Sequence, residues 1–196
     1  IRTMIRPLTQ SQRTLATVLA TVGAQSDLSA SELEKISITG ITSSTSEIET
    51  GDLFCAFAGA NVHGASFASD AIKNGAVAIL TDLEGAKIIK GLPVAIVSNP
   101  RKSAALLSSW FYGEPMRDLF SIGITGTNGK TTVTTLIHQI LQGAGQETGL
   151  IGTVETRIGN DTLTSTRTTP EAAELQALVA TMRERHCRNL VMEVSS

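Results

Sequence analysis

The sequence predicts an α/β fold in two domains, residues 1–115 and 116–196, with the second opening a parallel-sheet domain around a glycine loop. Three observations carry this. Short apolar runs of strand length alternate with stretches of helical spacing. A glycine-rich turn from Gly126 to Gly129 stands between an apolar run and a helix-like stretch. The 17 glycines against 4% aromatic residues suit many tight turns better than an aromatic-cored sandwich.

The elements follow in order. Leu15 to Val22 reads as a short helix and Ile36 to Ile41 as a strand, followed by the polar run Thr42 to Ser46. Gly51-Asp52 signals a turn, and Leu53 to Ala58 a buried strand. Ser66 to Asn74 has helical spacing, with Phe67, Ala68, Ala71 and Ile72 on one face and Gly75 as the stop. Val77 to Leu80 and Val94 to Val97 read as strands. Pro100 opens a helix to about Tyr112 that buries Leu106, Leu107 and Trp110. Gly113-Glu114-Pro115 breaks it, and the domain boundary is expected near Glu114 to Asp118. Leu119 to Thr125 is then a strand, Gly126 to Gly129 a loop, and Lys130 to Gln142 a helix stopped by Gly143. Leu150 to Val154 reads as a strand, and Gly159-Asn160-Asp161 as a hairpin turn. Pro170 opens a helix to about His186, and Leu190 to Val194 is a last strand. So few parallel strands leave an open edge and a bare face, so further strands are expected beyond Ser196.

Composition excludes several classes. A 196-residue chain that is 41% hydrophobic can build a core and is not disordered. A net charge of -2 gives no basic footprint for nucleic acid. No apolar run approaches the ~18 residues of a membrane span, and Ile1 to Gln12 lack the apolar core and cleavage site of a signal peptide. A cytoplasmic protein is expected, binding neither nucleic acid nor membrane. Cys55 and Cys187 lie in apolar runs and read as two buried thiols rather than a disulfide.

The chemistry concentrates in Gly126-Thr127-Asn128-Gly129-Lys130-Thr131-Thr132. After a strand and before a helix, backbone N–H groups and the helix dipole converge on an anion, and glycines let the backbone come close. Lys130 is placed to reach β- and γ-phosphates, and the Thr131 hydroxyl to ligate Mg²⁺. Position 124 is Ile, so the loop is a short G-x-x-G-K-T form. Glu193 ends an apolar strand, where an acid can hold Mg²⁺. Thr168-Thr169-Pro170-Glu171 reads as a helix N-terminus with proline in the first turn, and the paired hydroxyls can also bind a ligand. His138 reads as packed or surface, His186 as a helix C-terminal cation, and Trp110 as core; His63 has no assigned role.

Four segments carry a resemblance. They are Gly123 to Thr132, Gly149 to Val154, Thr168 to Ala172 and Met192 to Ser196, and together they resemble the Mur ligases, most closely the MurE type. The Thr-Thr-Pro-Glu segment is the subtype mark. Gly51 to Phe54, His63-Gly64 and Ala71 to Ile79 are similar to that family's UDP-binding N-terminal domain. The resemblance implies an ATP-dependent ligase of peptidoglycan precursor synthesis. It adds a diamino acid, meso-diaminopimelate ahead of L-lysine, to UDP-N-acetylmuramoyl-L-alanyl-D-glutamate through an acyl phosphate. Residues 1–115 are then the UDP-substrate domain, and 116–196 the first part of the central ATP-binding domain. ATP contacts run from Gly126 through Thr127, Asn128, Gly129, Lys130 and Thr131 to Thr132, with Lys130 catalytic and Mg²⁺ near Thr131 and Glu193. The UDP-muramoyl peptide meets Thr168, Thr169 and Ser195, and its uridine end meets Ile41, Ser43, Ala60, Asn61 and Val62. A monomer is expected. The family's carbamylated lysine, a further histidine and the amino-acid-binding domain fall beyond Ser196, so these residues by themselves are expected to be inactive. The alternatives are a MurF-type ligase, a folylpolyglutamate-type ligase, which normally begins close to its glycine loop, and a non-catalytic nucleotide-binding module.

Overall fold

The computed structural model describes residues 4–9, 11–159, 161–164 and 167–195. The chain forms two compact α/β units, one carried by Thr9–Phe111 and the other by Tyr112–Ser196 together with Ile5–Leu8.

The first unit contains β1 (Arg13–Thr14), α1 (Leu15–Val22), α2 (Ala30–Lys35), β2 (Ser37–Ile38), β3 (Gly40–Thr42), β4 (Asp52–Cys55), α3 (Ala68–Asn74), β5 (Ala78–Thr81), α4 (Leu83–Ile88), β6 (Val94–Ile96) and α5 (Pro100–Phe111). Strands β3, β4, β5 and β6 are parallel neighbours in that order. Every residue of β4 and β5 is buried, as in a sheet covered on both faces. The stretch expected as one strand from Ile36 to Ile41 serves two sheets. β2 pairs antiparallel with β1, the Thr39 amide donates to the Gly51 carbonyl at 2.9 Å, and β3 then enters the parallel sheet.

The expected helix from Ser66 begins as a 3₁₀ turn, Gly64–Phe67, and becomes α-helical at Ala68. Its buried side carries Ala68 and Ala71, while Phe67 and Ile72 are exposed. Gly75 ends it at φ 104°, and a Cβ there would lie 2.9 Å from Thr50 Cα, so both conformation and space demand glycine. In α5 the buried stripe is Ala104, Leu107, Ser108 and Phe111, spaced three and four apart. Leu106 lies off that stripe and is exposed. Trp110 is half-buried, with the Arg13 guanidinium 5.4 Å from its ring centre. Two helices went unread in the sequence. One is α2, closed by a reciprocal Ser29–Glu32 capping box, and the other is α4, capped by Asp82.

The second unit contains β7 (Phe120–Ile124), α6 (Lys130–Gly143), β8 (Thr148–Ile151), β9 (Glu155–Ile158), β10 (Asp161–Thr164), α7 (Ala172–Glu184) and β11 (Asn189–Glu193). The strand order is β10-β9-β8-β11-β7. β7, β11 and β8 are parallel, and β9 and β10 add the expected hairpin antiparallel, so the sheet is mixed rather than wholly parallel. The helix expected from Pro170 starts at Ala172. Glu171 is its N-cap and makes no side-chain cap bond, so neither threonine caps it. Leu178, Val179 and Met182 of α7 pack with Ile151, Ile158, Leu190 and Met192. Gly149 permits this, because a Cβ there would collide with the Met182 sulfur. Ile5 packs against this core, and the Leu8 amide donates to Glu184 Oε2 at 2.8 Å. The edge strands are β10 and β7, Phe120 of β7 is exposed, and α6 leaves Val133, Leu136 and Ile140 in solvent.

Both cysteines are free and buried. Burial first, and then the nearby Asp52 charge, push the Cys55 thiol up to about 12, which makes it inert. His138 is buried with Nε2 3.1 Å from the Thr148 carbonyl, as expected of a packed residue. Burial lowers its pKa, against the raising effect of that carbonyl and with a smaller lowering contribution from Arg157. The unfolded chain therefore takes up this proton first as pH falls. The stabilisation is complete above the ordinary value of about 6.5 and is lost as pH drops toward the lower folded value. Thermal melts at pH 7.5 and 5.5 should show a drop in Tm that shrinks in His138→Gln; an equal drop in both proteins would remove His138 as its source.

Candidate functional site

The glycine loop sits where β7 gives way to α6. Gly126 has φ 146° and Gly129 φ 78°, both in the region that favours glycine. No atom crowds a Cβ built at Gly129, so there the backbone conformation, not space, selects glycine. Gly129 is the N-cap of α6 and offers no side-chain acceptor, which leaves the first-turn N–H groups facing the loop. Lys130 curls back so that Nζ donates to the Gly126 carbonyl at 2.6 Å, holding the ammonium over the loop. Thr131 and Thr132 lie exposed in the same first turn. Thr127 and Asn128 form the span between the two glycines.

Glu193 ends β11 directly beside this loop, because β11 pairs with β7 and Glu193 stands opposite Ile124. The carboxylate is buried at 1% exposure and surrounded by donors. Oε2 accepts from Thr131 Oγ1 at 3.2 Å and from Thr153 Oγ1 at 2.9 Å, and Oε1 accepts from the Thr153 amide at 2.9 Å. A Cβ at Gly152 would fall 2.8 Å from Oε1, so the glycine lets the carboxylate lie against the backbone after β8. The Thr168-Thr169 segment comes to the same place. Thr168 Oγ1 is 3.1 Å from Thr153 Oγ1. Thr169 Oγ1 donates to the Glu193 carbonyl at 3.1 Å, accepts from the Ser195 amide at 2.9 Å and lies 3.0 Å from Ser195 Oγ. Thus Lys130, Thr131, Glu193, Thr168, Thr169 and Ser195 gather at the carboxyl ends of β7, β11 and β8. Gly152 and Thr153 lie in the Gly149 to Val154 segment that carries the resemblance, but the sequence assigns neither a site role. Their signal was a Gly-Thr pair at the end of an apolar strand.

The donor set suits a hard divalent cation. Glu193 and Thr131 supply oxygens 3.2 Å apart, and two protein oxygens leave positions for water and phosphate, as Mg²⁺ prefers. Among the described residues no group of three or more His, Cys, Asp or Glu could hold a metal unaided.

In the first unit, Ser43 follows β3, and Ala60, Asn61 and Val62 follow β4, at the carboxyl ends of neighbouring parallel strands. Ile41 is wholly buried, backbone included, within β3. The loop tip is exposed and its base is tied by Gly59 N to Val62 O at 3.2 Å and Gly64 N to Phe57 O at 2.7 Å. His63 anchors that base. Nδ1 accepts from the Ala65 amide at 3.0 Å, leaving Nε2 to donate to Asp82 at 3.2 Å. The Gly85 amide first, and His63 after it, hold Asp82 below the usual carboxylate range despite some desolvation.

A parallel sheet with a glycine loop after one strand and a buried acid ending the next defines an α/β protein of the P-loop kind. The chain belongs to the Mur ligase family. Residues 124–196 match the Mur ligase middle domain, and residues 37–107 match a domain described as Mur ligase family, catalytic domain. A protein of Streptomyces avermitilis named UDP-N-acetylmuramoyl-L-alanyl-D-glutamate--2,6-diaminopimelate ligase is 49% identical over 92% of this chain and 36% of its own length. A UDP-N-acetylmuramyl-tripeptide synthetase of Leifsonia xyli is 40% identical over 98% of this chain and 37% of its own length. A solved structure of a ligase with the first of these names shares the fold at TM-score 0.71 and 21% identity, over 94% of this chain and 36% of that one. The chain thus spans little more than a third of the length of the curated relatives it matches.

Gly152→Ala tests the seat of Glu193. Its Cβ meets the movable end of a side chain, so Tm should shift by no more than about 3 °C, near 1 kcal/mol for a chain this size. Nucleotide-dependent turnover of the intact protein should fall at least about tenfold, since a displaced outer contact costs roughly that. Unchanged turnover would show that the carboxylate's seat is immaterial.

Proposed function

We propose that the protein to which this chain belongs is an ATP-dependent ligase of the MurE type. It joins a diamino acid, 2,6-diaminopimelate by the name of the Streptomyces relative, to UDP-N-acetylmuramoyl-L-alanyl-D-glutamate. One observation carries the reading: the hydroxyl of Thr131, straight after the glycine loop and Lys130, reaches the buried carboxylate of Glu193. That pairing is what a nucleotide triphosphate with a divalent cation requires.

The chemistry divides among named groups. The Gly126–Gly129 backbone and the α6 N-terminus bind the phosphate chain, and Lys130 leaves the Gly126 carbonyl to neutralise charge on the transferred phosphoryl group. Thr131 and Glu193 would hold Mg²⁺, which supplies further charge neutralisation at the phosphates. Thr168, Thr169 and Ser195 bind the acceptor beside them. There the D-glutamyl carboxylate oxygen attacks the γ-phosphorus, the bond from that phosphorus to the β–γ bridging oxygen breaks, and ADP leaves. The diamino acid's amine then attacks the acyl carbon, the carbon–oxygen bond to phosphate breaks, and the amine proton departs with the phosphate. This chain's part is positioning and electrostatics. Residues 1–115 form the substrate domain, with Ser43 and Ala60 to Val62 at the uridine end, and residues 116–196 begin the ATP domain. Dependence on ATP and a UDP-sugar peptide suits a cytoplasmic protein.

The test is phosphate release by the intact protein with ATP, Mg²⁺ and the UDP-muramoyl dipeptide, with each diamino acid supplied in turn. Release that depends on meso-diaminopimelate is expected. Lys130→Ala should lower kcat at least about 100-fold, the scale for losing one charge-stabilising donor, at unchanged Tm. Nucleotide binding with no turnover on any diamino acid would instead indicate a binding module.

A further inference from the structure

The ligase reading employs Lys130, Thr131 and Glu193 toward nucleotide and cation, and Thr168, Thr169 and Ser195 toward the acceptor. Thr153 belongs to neither set, yet it is the residue that touches both oxygens of Glu193. Its amide donates to Oε1 at 2.9 Å and its hydroxyl to Oε2, also at 2.9 Å. A hydroxyl has one proton, and the bond to a carboxylate is the stronger use of it. The Thr168 hydroxyl, 3.1 Å from Thr153 Oγ1, is the second and weaker partner of that proton.

A carboxylate held at one oxygen can still swing about its last torsion. Held at both, with Oε1 pressed against the Gly152 backbone, its plane is fixed. The remaining acceptor capacity of Oε2 is then aimed at Thr131, 3.2 Å away. We infer that Thr153 is a positioning residue that grips both oxygens of Glu193 and sets that carboxylate's orientation toward the divalent cation accompanying the nucleotide. The inference rests on the ligase reading. The bland alternative is a threonine that merely closes the turn after β8, where the Gly152 amide already bonds the Glu155 carbonyl at 3.0 Å.

Two substitutions separate these roles. Thr153→Val keeps the shape and the amide but removes the hydroxyl, and Thr153→Ser keeps the hydroxyl. The measurement is Mn²⁺ binding to the intact protein in the presence of ADP, followed by the electron paramagnetic resonance of free Mn²⁺, so no turnover is needed. Thr153→Val should weaken Mn²⁺ binding about tenfold, the lower end for losing an outer-shell partner, with metal-free ADP affinity unchanged. Thr153→Ser should bind as the wild type does. Wild-type Mn²⁺ affinity in Thr153→Val, or equal weakening in the serine variant, would overturn the inference. Lys130→Ala keeps the two claims apart. If it keeps full turnover with ATP, the UDP-muramoyl dipeptide and a diamino acid, the ligase reading itself fails; if it loses turnover while Thr153→Val binds Mn²⁺ normally, only the role of Thr153 falls.

Discussion

A buried carboxylate between two parallel strand ends governs the second unit. Glu193 is nearly inaccessible, and leaving such a group unpaired would cost about 3–5 kcal/mol, so its donors are structural necessities before they are functional ones. The carboxylate's donors come from two chain segments, the first turn of α6 and Thr153, two residues past β8, while the Thr169 loop bonds the Glu193 backbone carbonyl. Satisfying one acid therefore draws the glycine loop and the Gly-Thr turn to one end of the sheet, and the double-threonine loop joins them through the backbone of the same residue. The strand order makes this possible, since β11 lies between β7 and β8.

The first unit uses the same placement with different means. Its loops also gather at the carboxyl ends of parallel strands, but no buried acid organises them. Instead His63 links the base of the 58–63 loop to Asp82, which at the same time caps α4. Gly85 lacks a Cβ where one would strike both Thr81 and His63, so the glycine allows this junction to close.

Much of this was legible because the sequence pattern and the packing obey one rule. The glycine loop, the helix behind it, the closing strand with Glu193 and the β9–β10 hairpin all follow from apolar periodicity and turn residues. What escaped was set by neighbours distant in sequence. Leu106 has the right composition for a core position but lies off the stripe that the sheet covers. The run from Ile36 to Ile41 alternates isoleucines with polar residues like a single strand, and the Thr39–Gly51 bond falls where it divides between two sheets. Thr168 and Thr169 looked like a helix start because Pro170 follows them. Their bonds go across to Thr153, Ser195 and the end of β11, which no local pattern announces. Thr153 lies in the Gly149 to Val154 segment, but its grip on Glu193 shows only once that partner is placed.

The path of the chain at its two ends carries a further consequence. Residues 5–8 precede the first unit, yet Ile5 packs with the second core and the Leu8 amide finds Glu184, 176 residues later. Arg183, next to it, binds the Tyr112 and Gly113 carbonyls and Asp118. The Leu8–Glu184 contact closes only after the whole first unit and α7 have been synthesised, and such long sequence separation slows folding. During translation the first unit can complete itself while this leading segment waits undocked, and the second unit locks only when α7 arrives to receive it.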